Sequence, residues 1–290
     1  MNIKYHIKEI EKLLNKEKVN KYNLLQVSFN IACLEFELSN GKKYIAKYYL
    51  NKKNLFNALK AEADNLKFLN NKFNMFPKIV KFDNRYLIIE YIYNDKNKPN
   101  STNKDFLNAI IKLHSVSNKM YGFSFNTQIG ALEQTNEFEN NWTSFFINKR
   151  LIPMFELANR DGFMGDFINK KINLIINNIK NYIPENPPAL LLHGDLWEGN
   201  ILFKEKKFMG FIDPGSFFGH NEMEVAYLRW FNPSFIDSRF LDKYNEQIKL
   251  DKNYKIYEPI YQIYYALSNV VLWDRSYIQE TKRLLIELGI

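Results

Sequence analysis

A single cysteine, Cys33, in 290 residues excludes an internal disulfide and a zinc site built from several thiolates. A reducing, cytoplasmic setting is therefore expected, and the Asn-x-Thr triplets at Asn100 and Asn141 carry no glycosylation argument. Long apolar runs are also missing. No segment approaches the roughly 18 apolar residues of a membrane span. The opening MNIKYHIKEIEKLLNK lacks the apolar stretch and small-residue cleavage site of a signal peptide and reads as an amphipathic helix. Like-charge runs of five or six and arginine-rich arms are absent too, so the net charge of +8 is spread over the surface and nucleic acid is not an expected partner. A mildly basic chain also suits a small anionic substrate. There is no internal repeat and no low-complexity tract. Hydrophobic residues are plentiful, at 46%, with 16% aromatic, which supplies one large core or two modest ones and excludes disorder.

The pattern along the chain changes once. Residues 22–49 hold three short runs of strand character, with alternation in ACLEFEL and a Ser39-Asn40-Gly41 turn before KKYIAKYY, which predicts an antiparallel meander. Residues 53–70 place Phe56, Leu59, Ala63, Leu66 and Leu69 at three- and four-residue steps, a helix with one apolar stripe. Two further strands, 78–83 and 86–92, precede the polar stretch NDKNKPNSTN, a natural boundary. Beyond it the segments read as helices, over 105–116, 140–158, 167–183, 258–273 and 277–288, interrupted by strand-like runs only at 190–213. The expected architecture is α+β and two-lobed: a small antiparallel-sheet lobe, 1–93, and a larger, mainly helical lobe, 94–290. A cleft between two such lobes is the usual place for a small ligand.

The stretch LLLHGDLWEGNILF, 190–203, sets His193, Asp195, Trp197, Glu198 and Asn200 between two apolar runs. Asp195 and Asn200 are five apart, and Asp213 follows in FMGFIDPGS. Phosphoryl transfer needs a carboxylate to orient the attacking hydroxyl and accept its proton, and oxygen ligands to hold Mg²⁺ against a triphosphate. The loop H-G-D-x-x-x-x-N with a later Asp at a strand end supplies all three groups, and Gly194 lets the loop turn. HGD alone would read as a turn with a core histidine and a capping aspartate; Asn200 and Asp213 at this spacing point to phosphotransfer. The same plan needs a strand lysine for the phosphates and a helix glutamate to hold it. Lys47 lies on the third predicted strand and Glu62 in the middle of the following helix. Glu90-Tyr91-Ile92 then forms the link whose backbone meets an adenine edge.

Together, HGDLWEGNILF and FIDPGSFFGHNEMEVA resemble the fructosamine kinase (ketosamine 3-kinase) family, as do GFSFNTQIGALEQTNEFENNWTSFFINKRLIP, 122–153, and YEPIYQIYYALSNVVLW. The resemblance spans roughly residues 20–285. It implies a protein-kinase-like fold in which Asp195 is the catalytic base, Asn200 and Asp213 are Mg²⁺ ligands, and Lys47 with its partner Glu62 binds the phosphates of ATP. Glu90, Ile92 and Asn30 complete the expected nucleotide site. The reaction it implies is transfer of the γ-phosphoryl group of ATP to the 3-hydroxyl of a ketosamine, free or protein-bound, whose phosphorylated form falls apart and so deglycates the amine. On the acceptor side it points to Trp197, His220 and Glu222. Three places depart from the family pattern: Gln26-Val27-Ser28-Phe29-Asn30 has no glycine where the family has a glycine-rich loop, Glu224 replaces an Asp, and 269–274 lacks the usual histidine and Phe-Gly.

Other aromatics read more simply as core. Trp142, Phe145 and Phe146 have helical spacing, and Phe217 and Phe218 follow a strand, although these two also lie near the acceptor side. Cys33 reads as a small buried apolar residue. Two other functions remain in view, a kinase of the same fold for an aminoglycoside, choline or sugar alcohol, and a nucleotide-binding pseudokinase. The oligomeric state has no signal in the sequence.

Overall fold

The computed structural model describes residues 2–51 and 56–289; positions 53–55 of the expected helix lie outside that range. The small lobe opens with helix α1 (Ile3–Leu13), followed by strands β1 (Val19–Ser28), β2 (Ile31–Leu38) and β3 (Lys43–Tyr49), helix α2 (Ala58–Asn70), and strands β4 (Ile79–Phe82) and β5 (Tyr86–Glu90). The strands form one antiparallel sheet in the order β1-β2-β3-β5-β4.

Strand parity assigns the two faces of this sheet. In β2 burial alternates strictly, so Ala32, Leu34, Phe36 and Leu38 point one way. With Ala46, Tyr48, Tyr86 and Ile88 they bury Ile10 of α1 in a separate small core. The His6 ring, stacked on Tyr48 and 2.8 Å from the Tyr86 hydroxyl, pins α1 there. The opposite parity turns Cys33, Ile45, Lys47, Leu87 and Ile89 toward the cleft side, and Lys47 pairs in register with Cys33 and Leu87.

The apolar stripe of α2 packs between the cleft face of the sheet, where Leu87 and Ile89 share its core, and the large lobe. Leu59, Ala63, Leu66 and Leu69 join a core that runs on into the helices beyond residue 104. Phe68 meets Phe123 edge-on at 4.9 Å, and Asn65 Oδ1 accepts the Ser216 N–H at 3.1 Å.

The large lobe contains α3 (Lys104–His114), β6 (Ser117–Asn118), the hairpin β7 (Thr127–Ile129) and β8 (Leu132–Gln134), and α4 (Trp142–Phe146). A π turn at Ile147–Leu151 leads into α5 (Ile152–Ala158) and then α6 (Gly165–Asn178). Strands β9 (Ala189–Leu192), β10 (Ile201–Lys204), β11 (Lys207–Phe211) and β12 (Phe217–Gly219) carry the chemistry-bearing loops. Helices α7 (Asn221–Trp230), α8 (Phe240–Gln247), α9 (Tyr254–Leu272) and α10 (Tyr277–Glu287) complete the lobe, with α9 buried along most of its length. Asparagine caps recur: Asn57, Asn103 and Asn141 each accept a backbone N–H in the first turn of α2, α3 and α4. Asn141 of the Asn-x-Thr triplet is thus a helix cap.

The large lobe differs from the sequence reading in its short elements. Strands β6, β7, β8 and β12 lie outside 190–213, and α7 and α8 were not anticipated. Strands of two or three residues exist through distant partners, as β12 and β6 do on β9, and carry no local periodicity. Among the described residues no helix is long and apolar enough to cross a membrane.

Candidate active site

Strand β9 delivers His193, Gly194 and Asp195 into a tight turn. Gly194 has φ +88°, and a Cβ there would come 2.1 Å from the Gly215 carbonyl oxygen, so only glycine fits. The buried Glu224 of α7 holds this turn from behind. Its Oε2 accepts the His193 N–H at 2.9 Å, its Oε1 the Gly194 N–H at 2.7 Å, and Oε2 also lies 2.9 Å from His114 Nε2. Burial pushes the Glu224 pKa up, but the hydrogen bond to His114 and the backbone donors more than cancel this and hold it below its ordinary value. Glu224→Gln would set an amide NH₂ against a backbone N–H. A loss of about 1.5–3 kcal/mol is expected in urea unfolding, the worth of a charge-assisted hydrogen bond; an unchanged midpoint would show that the carboxylate is not the support of the loop.

Asp195 itself faces the cleft. Asn200 Nδ2 donates to its carbonyl oxygen at 2.8 Å and lies 3.4 Å from its Oδ2, while the Tyr227 hydroxyl is 3.5 Å from Oδ1. Burial, reinforced by the charge of Asp213, pushes the Asp195 carboxyl up to about 7, a suitable position for a group that takes a proton near neutrality.

Asp213 stands just beyond β11 with φ +57°, in the left-handed region. Gly215 follows, so close to the Gln128 carbonyl that a Cβ would meet it at 1.9 Å. The Lys47 ammonium bridges the lobes, 2.7 Å from Glu62 Oε1 and 2.5 Å from Asp213 Oδ1. Burial opposes the Lys47 charge, yet the two carboxylates, Asp213 foremost, hold its pKa above the ordinary value. The Asp213 side chain remains 35% exposed, open to the cleft.

These groups line one end of a cavity of about 720 Å³ between the lobes. The rest of its lining mixes the apolar Ile31, Ile45, Ile89, Ile92, Leu202 and Ile212 with polar groups such as Glu90 and Asn94. A slot with apolar walls for a flat base and a charged cluster for phosphates is a nucleotide-shaped arrangement. A second cavity of about 250 Å³ adjoins it and is walled by Phe29, Trp197, Tyr227, Phe231, Trp273 and Tyr277. Asp195, Trp197, Phe29 and Trp273 line both. The Trp197 ring lies against Gly199, where a Cβ would come 2.3 Å from the indole, and 6.0 Å from Phe231.

The sequence model of the fructosamine kinase family matches residues 6–288. The chain belongs to the fructosamine kinase family. A protein of Enterococcus faecium described as a probable ketoamine kinase is 31% identical over 251 residues, covering 84% of this chain and 87% of its own. The solved structure of a fructosamine-3-kinase candidate from Thermobifida fusca superposes with a TM-score of 0.85 at 22% identity, over 98% of both chains. An ADP-bound aminoglycoside phosphotransferase superposes with a TM-score of 0.63 at 16% identity, over 99% of this chain and 98% of its own. The fold is the two-lobed, protein-kinase-like fold that the family resemblance implied.

Within this family fold, Lys47, Glu62, Asp195, Asn200 and Asp213 come together in the larger cavity, and Glu90 and Ile92 line it as well. Asn30 is placed differently. It sits at the β1–β2 turn, where its Oδ1 accepts the Asn51 N–H at 3.0 Å and its carbonyl accepts Leu50 N–H at 2.9 Å. It ties the turn to the end of β3, and its neighbours Ser28, Phe29 and Ile31 face the cavity.

The structure does not bring His220 and Glu222 to the acceptor side. Both are buried and line neither cavity. His220 Nδ1 is 2.8 Å from the Tyr261 hydroxyl, and Glu222 accepts from the Tyr257 hydroxyl and from Asp251 N–H. Their polarity is spent on fastening α7 to α9 and to the segment before it. Trp142, Phe145, Phe146 and Phe217 are core. Cys33 is only partly buried and lines the larger cavity, with burial pushing its thiol up to about 12, far from a reactive thiolate.

Sequence reasoning missed Tyr227, Phe231, Tyr277 and the His114 support, and reached Trp273 only as part of the departure at 269–274. It also missed Arg150, 1% exposed and without a carboxylate partner among the described residues. Its guanidinium lies 4.0 Å from the Phe217 ring centre and donates to Thr135 O and to Asn136 Oδ1. Asn136 bonds Thr127 Oγ1, which donates to Gly215 O, so the chain of contacts ends beside Asp213. A helical period in the sequence marks Arg150 only as one more basic residue.

Proposed function

We propose that the protein transfers the γ-phosphoryl group of ATP, with Mg²⁺, to the 3-hydroxyl group of a ketosamine, a ribulosamine, erythrulosamine or fructosamine on a free amine or a protein, and so initiates deglycation in the cytoplasm. The observation that carries this reading is the convergence of Asp195, Asn200, Asp213 and the Lys47–Glu62 pair on one cavity that opens beside Asp195 into a second, ring-walled chamber. In this reading residues 1–93 form the nucleotide lobe and 94–290 the acceptor lobe.

The donor set suits Mg²⁺, which takes oxygen ligands, commonly one or two carboxylates beside phosphates and water. Asn200 spends its amide nitrogen on Asp195, which leaves its oxygen to meet a cation, and Asp213 offers an open carboxylate. Bound there, the ion would supply neutralisation of charge on the phosphate oxygens. Lys47, held between two carboxylates, would orient the phosphates. Asp195 would accept the proton of the acceptor hydroxyl, steered by Tyr227 and Asn200. Trp197 and the rings around it would seat the sugar and the charged amine of the adduct, since a cation is attracted to an aromatic face.

The aromatic lining also suits a quaternary ammonium acceptor such as choline. Phosphorus-31 NMR with Mg-ATP and ribulosyl-, erythrulosyl- and fructosyl-lysine, choline and kanamycin separates the readings. A new sugar-phosphate resonance with a ketosamine alone is the expected result. A product with choline or kanamycin alone would transfer the assignment to that acceptor.

A further inference from the structure

Hairpin turns with two successive left-handed residues ordinarily use Asn-Gly or Gly-Gly, because a side chain there is strained. The β1–β2 turn of this chain instead uses Phe29 at φ +50° and Asn30 at φ +65°. A bulky residue in that region costs on the order of 1–3 kcal/mol and persists where something else requires it. Core packing does not require Phe29, since it belongs to neither apolar core and is 38% exposed. Its position accounts for it better. The ring stands where the two cavities meet and lines both. Across from it on the large lobe stands Trp273, 62% exposed, which also lines both and lies 6.5 Å from Trp197. Two large exposed rings from opposite lobes thus flank the junction of the two cavities, which Asp195 also lines.

We propose that Phe29 is a water-excluding and positioning residue that, with Trp273, roofs the phosphoryl-transfer path in place of a glycine-lined loop. The inference rests on reading the two cavities as nucleotide and acceptor sites. The reaction it suppresses is hydrolysis. A water oxygen bonds to the γ-phosphorus as the bond to the β,γ-bridging oxygen breaks, ADP and inorganic phosphate leave, and the water's proton goes to Asp195 or solvent. Apolar rings over the path remove the competing nucleophile without touching the acceptor hydroxyl.

Phe29→Gly tests this cleanly, because glycine is at ease at φ +50° and the variant relieves backbone strain while deleting the ring. Phosphate release from Mg-ATP without acceptor is measured beside transfer to the best ketosamine. The expected result is a rise in the ratio of hydrolysis to transfer of roughly tenfold, or about 1.4 kcal/mol of discrimination, with Phe29→Tyr restoring the wild-type ratio. Wild-type partition in Phe29→Gly overturns the proposal. So does a change confined to the KM for ATP, which would make Phe29 part of the nucleotide seat. The hydrolysis arm needs no acceptor: if no ketosamine is turned over, the acceptor reading fails while hydrolysis by the variant, raised or unchanged, still decides the role of Phe29.

Discussion

Asp195→Asn is expected to lower turnover by roughly 10²- to 10⁴-fold, the usual contribution of a general base, and to leave nucleotide affinity within a few-fold of wild type. The substitution keeps the shape, lets the amide oxygen accept from Asn200 and its NH₂ donate to the Tyr227 oxygen, and removes the proton acceptor. It also removes the charge that Asp213 repels, so the Lys47, Glu62 and Asp213 cluster has no reason to rearrange. Steady-state turnover and calorimetric titration of nucleotide on the same preparation give both halves of the result. Full activity in the variant would remove Asp195 from the mechanism, and a collapse of nucleotide binding would make it a structural residue.

The second large effect is at Asp213. Alanine is a poor probe there, because the residue sits at φ +57°, where asparagine is tolerated far better than residues with other side chains. Asp213→Asn keeps the turn and removes the charge. Nucleotide affinity in the presence of Mg²⁺ is expected to fall by about 10- to 100-fold or more, since even residues behind a metal ligand cost that much. Affinity in EDTA should change little, because Lys47 keeps its bond to Glu62. The comparison is a titration with and without Mg²⁺. Equal Mg²⁺ enhancement in variant and wild type would place the ion elsewhere.

What the sequence made legible in this site is what lies close along the chain or follows a secondary-structure period. His193 to Asn200 is one loop, Asp213 is the next strand end, and Lys47 and Glu62 are linked by a strand and a helix in succession. The opposite holds for the ring-walled chamber. Tyr227, Phe231, Trp273 and Tyr277 come from three helices and their ends, and no spacing rule joins them to Trp197. His220 and Glu222 show the complementary failure: polar residues just past a motif look functional, and only their burial on Tyr261 and Tyr257 reveals that they fasten helices. Glu224 was visible only as a departure, and its service to two backbone amides of the HGD turn depends on a contact across 30 residues.

The shared core under α2 bears on how the molecule comes apart. Because Leu59, Ala63, Leu66 and Leu69 pack into the same apolar body as α3 and α9, cutting the chain in the polar stretch after residue 93 would strip that face bare. The two lobes are therefore geographic regions of one cooperative unit rather than separable modules. The β1–β2 hairpin forms the edge of the sheet remote from β4, and its outer strand is mostly exposed. That exposed edge is the same piece that carries Phe29 at its tip.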